Sequence, residues 1–265
     1  MSTAMNPFFT HGAVSWSEYL ASDPAESTDF YRKLLGWRYT SMPMEMDGGG
    51  TYHVALVGDT NVSGLMKRPH SSIPPCWGFY VTVQDIHALV AEHSPQLFVP
   101  ITNTPMGPFC GIQDPQGGML HAIQYANPEA ETQGVIDFAS AFSRHGLFSW
   151  FELHTGDGAA AAEYYCNLFG WTIQEKTIPF GIYRMIMVGE VAIGGIAEFL
   201  PENTPPYWHG FITVDNVDDR TTLAATLGAV VNTPAFDLPG VGRMAHIQDP
   251  SGAPLTLITY ESWGG

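Results

Sequence analysis

Basic residues are scarce in this chain: Lys and Arg total 10 against 26 Asp and Glu, a formal net charge of -16 over 265 residues. A surface that negative repels phosphate backbones and anionic headgroups, so neither nucleic acid nor a membrane is expected as a partner. Cysteine is as sparse. Cys76, Cys110 and Cys166 lie far apart, form no CxxC pair and leave one thiol over in any disulfide scheme. They read as reduced structural thiols, and the expected compartment is the cytoplasm. No apolar run is long enough to span a bilayer, and Met1 to Gly12 lacks the basic and apolar regions of a signal peptide. Walker loops, GxGxxG, HExxH and GxSxG are missing too, so nucleotide, zincin and serine-hydrolase chemistry have no support.

What is present is a duplication. HGAVSWSEYLASDPAESTDFYRKLLGW, from His11, returns without a gap as HGLFSWFELHTGDGAAAAEYYCNLFGW, from His145. PPCWGFYVTVQDI from Pro74 returns as PPYWHGFITVDNV from Pro205, and GIQDPQGGMLHAIQY from Gly111 as HIQDPSGAPLTLITY from His246. The repeat unit is a whole domain of roughly 120 residues, a usual size for one core. The expected division is a first domain over 8–126, a linker over 127–142 and a second domain over 143–265.

Each copy divides again. Ser15 to Leu20 alternates, Asp23 suits a helix N-cap with Pro24 at the first helical position, and Gly36 is placed to end the helix left-handed. Three strand-like stretches follow, WRYTSMPM, TYHVALVG and NVSGLMK. After Pro74 the order recurs: a strand, a short helix over Ile86 to His93, and three strands, the last two joined by an Asp-Pro-Gln-Gly turn. The unit is βαβββ, present four times, and the fold class is α+β.

With FYRKLLGW after a strand and an Asp, its partner EYYCNLFGW, and the QDPQG and QDPSG turns, the chain resembles the vicinal oxygen chelate superfamily. That family holds glyoxalase I, extradiol dioxygenases and bleomycin-binding proteins, and the tandem Trp-x-Glu form resembles a bacterial subgroup of it. The resemblance implies four βαβββ modules paired into two glyoxalase/bleomycin-resistance/dioxygenase-like domains, each an open curled sheet around a cavity. It also implies where a divalent metal (Zn, Fe, Ni or Mn) would be held. Metal-binding members take one ligand seven residues before each helix-capping Asp and another seven after the Asp of the DPxG turn. Those places hold Trp16, Gly78 and His121 in the first copy and Trp150, His209 and Thr256 in the second. The fourth place falls within Ser63 to Lys67, or Gly194 to Glu198. One imidazole per domain cannot hold a catalytic metal, so no cofactor is expected at those positions.

Neighbouring positions offer an alternative. Glu18 and Glu152 lie two residues beyond the tryptophans, on the same strand face, and His154 one step further. Glu152, His154 and His209 would make a two-His-one-carboxylate metal set. Without a metal, Glu18 and Glu152 are candidate general bases, or else carboxylates tied down by a backbone amide or by a tyrosine such as Tyr125 or Tyr260. Trp16, Tyr80, His121, Trp150, His154 and Thr256 are the candidate ligand-binding residues. His11, His145, His53 and His246 read as structural, as do the turn-formers Asp114 and Asp249. Three functions stay open: binding or metal-independent chemistry on a small organic molecule, a metal-dependent lyase, isomerase or dioxygenase, and a non-catalytic interaction module. The expected partner is a small-molecule ligand, with the chain a monomer or homodimer.

Overall fold

The computed structural model describes residues 5–44, 49–131, 138–178 and 181–261. Sixteen strands and six helices are described. In the first half they run β1 (Val14–Ala21), α1 (Pro24–Leu35), β2 (Arg38–Pro43), β3 (Thr51–Val57) and β4 (Thr60–Lys67). Then follow β5 (Cys76–Thr82), α2 (Ile86–His93), β6 (Gln96–Thr104), β7 (Gly107–Gln113) and β8 (Met119–Ile123). Two single-turn helices, α3 (Pro128–Glu131) and α4 (Phe138–Ala141), flank 132–137, the part of the expected linker that lies outside the described residues. The second half repeats the pattern as β9 (Phe148–His154), α5 (Gly158–Phe169), β10 (Thr172–Ile178), β11 (Gly181–Val188) and β12 (Val191–Ala197). It closes with β13 (Tyr207–Thr213), α6 (Val217–Thr226), β14 (Val230–Leu238), β15 (Gly242–Gln248) and β16 (Pro254–Tyr260). The four βαβββ modules read from the sequence are present.

Local chemistry sets the helices as expected. Asp23 has extended backbone and accepts hydrogen bonds from the amides of Ala25 (2.8 Å) and Glu26 (3.3 Å), while Gly36 closes the helix at φ 70°. Asp157 and Gly170 do the same for α5. α2 covers the predicted span, capped by Asp85.

Each half forms one open eight-stranded mixed sheet, in the order β2-β3-β4-β1-β5-β8-β7-β6 and its repeat β10-β11-β12-β9-β13-β16-β15-β14. β1 runs parallel to β4, and β5 to β8, with antiparallel pairs outside them. This places the first strand of each module near the sheet centre, where alternate side chains face opposite sides.

Packing groups the modules differently. One compact unit takes the described residues of 1–16, 78–133 and 150–209, the other those of 17–77, 134–149 and 210–265. Inside the first unit, the turn carboxylate Asp114 is 2% exposed and accepts from Tyr165 Oη (3.0 Å) and from the amides of Gln116 and Gly118 (2.8 and 2.9 Å). Trp208 Nε1 donates to the same Tyr165 hydroxyl at 3.1 Å. Inside the second unit, Asp249 (3% exposed) accepts from Tyr19 Oη (2.5 Å), Tyr31 Oη (2.8 Å) and the amides of Ser251 and Ala253 (both 2.9 Å), and Trp77 Nε1 donates to Tyr31 Oη at 3.2 Å. The two turn aspartates are therefore buried acceptors as well as turn formers. Desolvation and the Asp249 charge together push the Tyr19 and Tyr31 hydroxyls far above the usual phenol range, so both stay donors.

Candidate functional site

β9 carries the richest cluster. Ser149, Phe151 and Leu153 point into the core, so Trp150, Glu152 and His154 share the opposite, half-buried face. The parallel neighbour β12 sets Gly195 beside Glu152 and Ala197 beside His154. Gly195 has a steric reason: a Cβ there would overlap the Tyr183 hydroxyl, because the Tyr183 ring from β11 lies across it. Trp150 Nε1 donates to Tyr183 Oη at 2.8 Å, and Tyr183 Oη donates to Glu152 Oε2 at 2.7 Å. His154 Nε2 stands 2.9 Å from Glu152 Oε1, with the two side chains 12% and 13% exposed. Tyr207 stacks on the His154 ring (4.9 Å, 15°), and the buried His209 ring lies 5.4 Å from it. Burial, reinforced by the Glu152 charge, raises the Tyr207 hydroxyl's pKa. At the rim, Phe199 is 63% exposed with its ring 6.3 Å from His154.

The first half repeats part of this. Glu18 lies beside Gly64 and accepts from Tyr52 Oη at 3.0 Å. Leu20, Cys76 and Gly78 stand where the second half has His154, Tyr207 and His209. Burial, with Glu18's charge second, pushes the Cys76 thiol up to about 11, so it is a neutral thiol. Trp16 packs against the buried Tyr80, Ile123 and Tyr125. His121 is opposite Tyr80 in register and stacked on it (4.5 Å, 15°), with the edges of Phe98 and Phe109 nearby.

Burial lowers the His121 pKa to about 4. A histidine held neutral in the folded state and free to titrate near 6.5 when unfolded stabilises fully above pH 6.5. That stability is lost as pH falls towards 4. Between pH 7 and 4.5 the loss from this residue is about 2–3 kcal/mol. Urea denaturation at both pH values is expected to show a His121→Phe variant losing that much less than wild type. Equal losses would mean that His121 is not held neutral.

The tyrosines escaped the sequence reading. Glu18 and Glu152 are bonded by Tyr52 and Tyr183, whereas Tyr125 and Tyr260 bond the hydroxyls of Ser15 (3.0 Å) and Ser149 (2.9 Å). A signal was available: Tyr52 and Tyr183 each stand six residues before a turn glycine, Gly58 and Gly189, in corresponding strands. Thr256 is fully buried, its hydroxyl 2.7 Å from His246 Nδ1. His53 meets the Ser41 hydroxyl at 2.8 Å, and His11 and His145 accept backbone amides of Gln84 and Asp215.

The donors at the metal positions of the resembled family do not fit a metal. An indole nitrogen has no free lone pair, glycine offers no side-chain donor, and Thr256 is engaged by His246. In the Glu152, His154 and His209 set, both Glu152 oxygens already face Tyr183 and His154. Among the described residues no three His, Cys, Asp or Glu side chains are grouped to hold an ion.

Known proteins agree with the fold. The family model for the glyoxalase/bleomycin resistance protein/dioxygenase superfamily matches residues 13–120, and that for a bleomycin resistance protein-like N-terminal region matches 148–189. The Mycobacterium tuberculosis protein CFP32, provisionally named a glyoxylase, is 29% identical over 94% of this chain and 95% of its own length. The anthracycline biosynthesis protein DnrV of Streptomyces peucetius is 31% identical over 42% of this chain and 46% of its own. Among solved structures, the 2,3-dioxygenase LapB of Pseudomonas sp. KL28 superposes with TM-score 0.63 at 14% identity, covering 96% of this chain and 95% of the other. A Mn(II)-bound glyoxalase of Novosphingobium aromaticivorans gives 0.59 at 14% identity, covering 94% and 82%. The family models, the relatives and the fold together support the vicinal oxygen chelate superfamily, of glyoxalase/dioxygenase type. Among the described residues, no helix is long and apolar enough to cross a membrane.

Proposed function

We propose that the Trp150, Glu152, His154, Tyr207 and His209 face of the 143–265 half binds a small, flat, hydroxylated organic molecule, without the metal site usual in the family. The supporting observation is a carboxylate, two imidazoles and the rings of Trp150, Tyr183 and Tyr207 brought together from β9, β11 and β13, with the exposed Phe199 6.3 Å from His154. Flat rings favour a flat ligand, and a buried carboxylate with its histidine favours one carrying an acidic hydroxyl. A small organic ligand is in keeping with the similarity to DnrV, an anthracycline biosynthesis protein. In the 8–126 half, Glu18 and Tyr52 repeat the carboxylate and its tyrosine, with Leu20 in the place of His154.

The test is calorimetric titration with 1,4-dihydroxyanthraquinone and p-nitrophenol, against unhydroxylated anthraquinone as control. Glu152→Gln is expected to weaken binding of the hydroxylated probes about tenfold, the size of one charged hydrogen bond. His209→Ala should weaken it less. If no hydroxylated probe binds below millimolar concentration, or anthraquinone binds as well, the reading fails. Protein purified without chelator is expected to carry far less than one equivalent of Zn, Fe, Ni or Mn. A full equivalent that Glu152→Gln or His209→Ala removes would establish the metal-dependent alternative instead.

A further inference from the structure

The connection between the two modules of each half occurs twice, and its two copies are fastened differently. LMKRPHSSIPPCW, from Leu65, aligns without a gap with IAEFLPENTPPYW, from Ile196, so Phe199 stands where the first half has Arg68. Arg68 crosslinks its own segment. Its Nη1 donates to the carbonyls of Ser71 (3.0 Å) and Ile73 (2.6 Å), and its amide donates to Ala21 O at 2.9 Å. The Phe199 side chain has no donor to do this. Across 199–206, Thr204 N to Pro201 O (3.1 Å) is the one hydrogen bond among the described residues. A surface segment held by so few bonds rearranges at low free-energy cost.

Phe199 is 63% exposed, and a lone exposed apolar side chain is ordinary. What sets this one apart is its place. Phe199 begins the segment and Tyr207 follows it, and both rings meet the imidazole of His154: Phe199 at 6.3 Å and 71°, Tyr207 stacked at 4.9 Å and 15°. We propose that 199–206 is a strap that folds over a molecule bound on this face, with Phe199 the ligand-contacting residue that selects several fused rings over one. The proposal rests on the ligand-binding reading above and adds its selectivity. Closure costs the conformational freedom of the strap, which is the same for any ligand. The gain is the apolar area shared by Phe199 and the ligand, which grows with the number of rings reaching past His154. A single ring therefore leaves the strap open, and a fused polycycle shifts it to the closed state. In the first half the Arg68 guanidinium holds the corresponding segment to itself and puts a charge where the ring would be, so that copy does not close.

Two measurements on the full chain test this. The first is amide hydrogen exchange, read by mass spectrometry over 199–204 and over 68–73. In the free protein 199–204 is expected to exchange faster than 68–73. Saturation with 1,4-dihydroxyanthraquinone should slow exchange over 199–204 and leave 68–73 unchanged. Equal exchange of the two segments in the free protein, or no slowing with the probe bound, overturns the strap. The second is calorimetric titration of Phe199→Ala, an exposed position whose truncation leaves the core intact. The variant is expected to bind 1,4-dihydroxyanthraquinone about tenfold more weakly than wild type, and p-nitrophenol less than about twofold more weakly. Equal losses for the two probes, or no loss for either, overturn the assignment of selectivity to Phe199 while the ligand reading stands. If wild type binds neither probe, the ligand reading itself fails and the strap falls with it.

Discussion

Asp249→Ala is expected to be the most damaging single substitution away from the proposed site, lowering unfolding free energy by about 3–5 kcal/mol. Asp249 Oδ2 receives two buried tyrosine hydroxyls and Oδ1 receives two turn amides, so alanine strands four donors at once. Each buried donor left unmet costs about 1–3 kcal/mol, reduced where relaxation or water can reach it. Against this, alanine relieves the desolvation of one carboxylate, which keeps the sum below four full penalties. The duplicate supplies an internal control. Asp114 serves only one tyrosine, Tyr165, besides its two turn amides, so Asp114→Ala is expected to cost about 2–3 kcal/mol, less than its counterpart. A Tyr19→Phe, Tyr31→Phe double variant should be milder than Asp249→Ala, because it removes donors instead of orphaning them. Denaturant titrations with matched slopes would measure the series. A loss under 1 kcal/mol for Asp249→Ala, or the reverse ranking of the two aspartates, would show that these bonds do not stabilise the unit each lies in.

Gly195→Ala is the second large effect, and its target is the site. The added methyl would occupy the position of the Tyr183 hydroxyl, and that hydroxyl lies at the middle of the Trp150–Tyr183–Glu152 chain. Tyr183 must swing away, leaving Trp150 Nε1 and Glu152 Oε2 without their shared partner. The expected result is a stability loss of about 2–3 kcal/mol from overpacking and unmet polar groups. Binding of the hydroxylated probes should fall at least as far as in Glu152→Gln. A Gly195→Ala, Tyr183→Ala double variant removes the hydroxyl and the ring carbons that the methyl would overlap, and should relieve the overpacking without regaining binding. Full binding by Gly195→Ala would mean that the tyrosine does not organise Glu152.

Both predictions use contacts whose residues were visible in the sequence but whose pairing was not. The Trp-x-Glu pattern was legible because strand alternation puts i and i+2 on one face, so Trp150, Glu152 and His154 could be placed together from spacing alone. Tyr183 and Tyr207 were not, since each comes from another strand and its alignment with Glu152 or His154 depends on sheet order and register. Asp114 and Asp249 read as turn residues because the DPxG pattern is a local signal. Their tyrosine partners lie 51 and 218–230 residues away in the chain, a separation no periodicity reports.

The sequence by itself determined the duplication, the four βαβββ modules and their caps, because these follow from local hydrogen bonding and side-chain period over a few residues. Only the tertiary structure decided which modules pack together, which tyrosines reach which carboxylates, and that Tyr183 holds Glu152 Oε2. Those outcomes depend on long-range register and on space. A glycine on the strand beside a ring looks like any other glycine until the ring is seen lying across it.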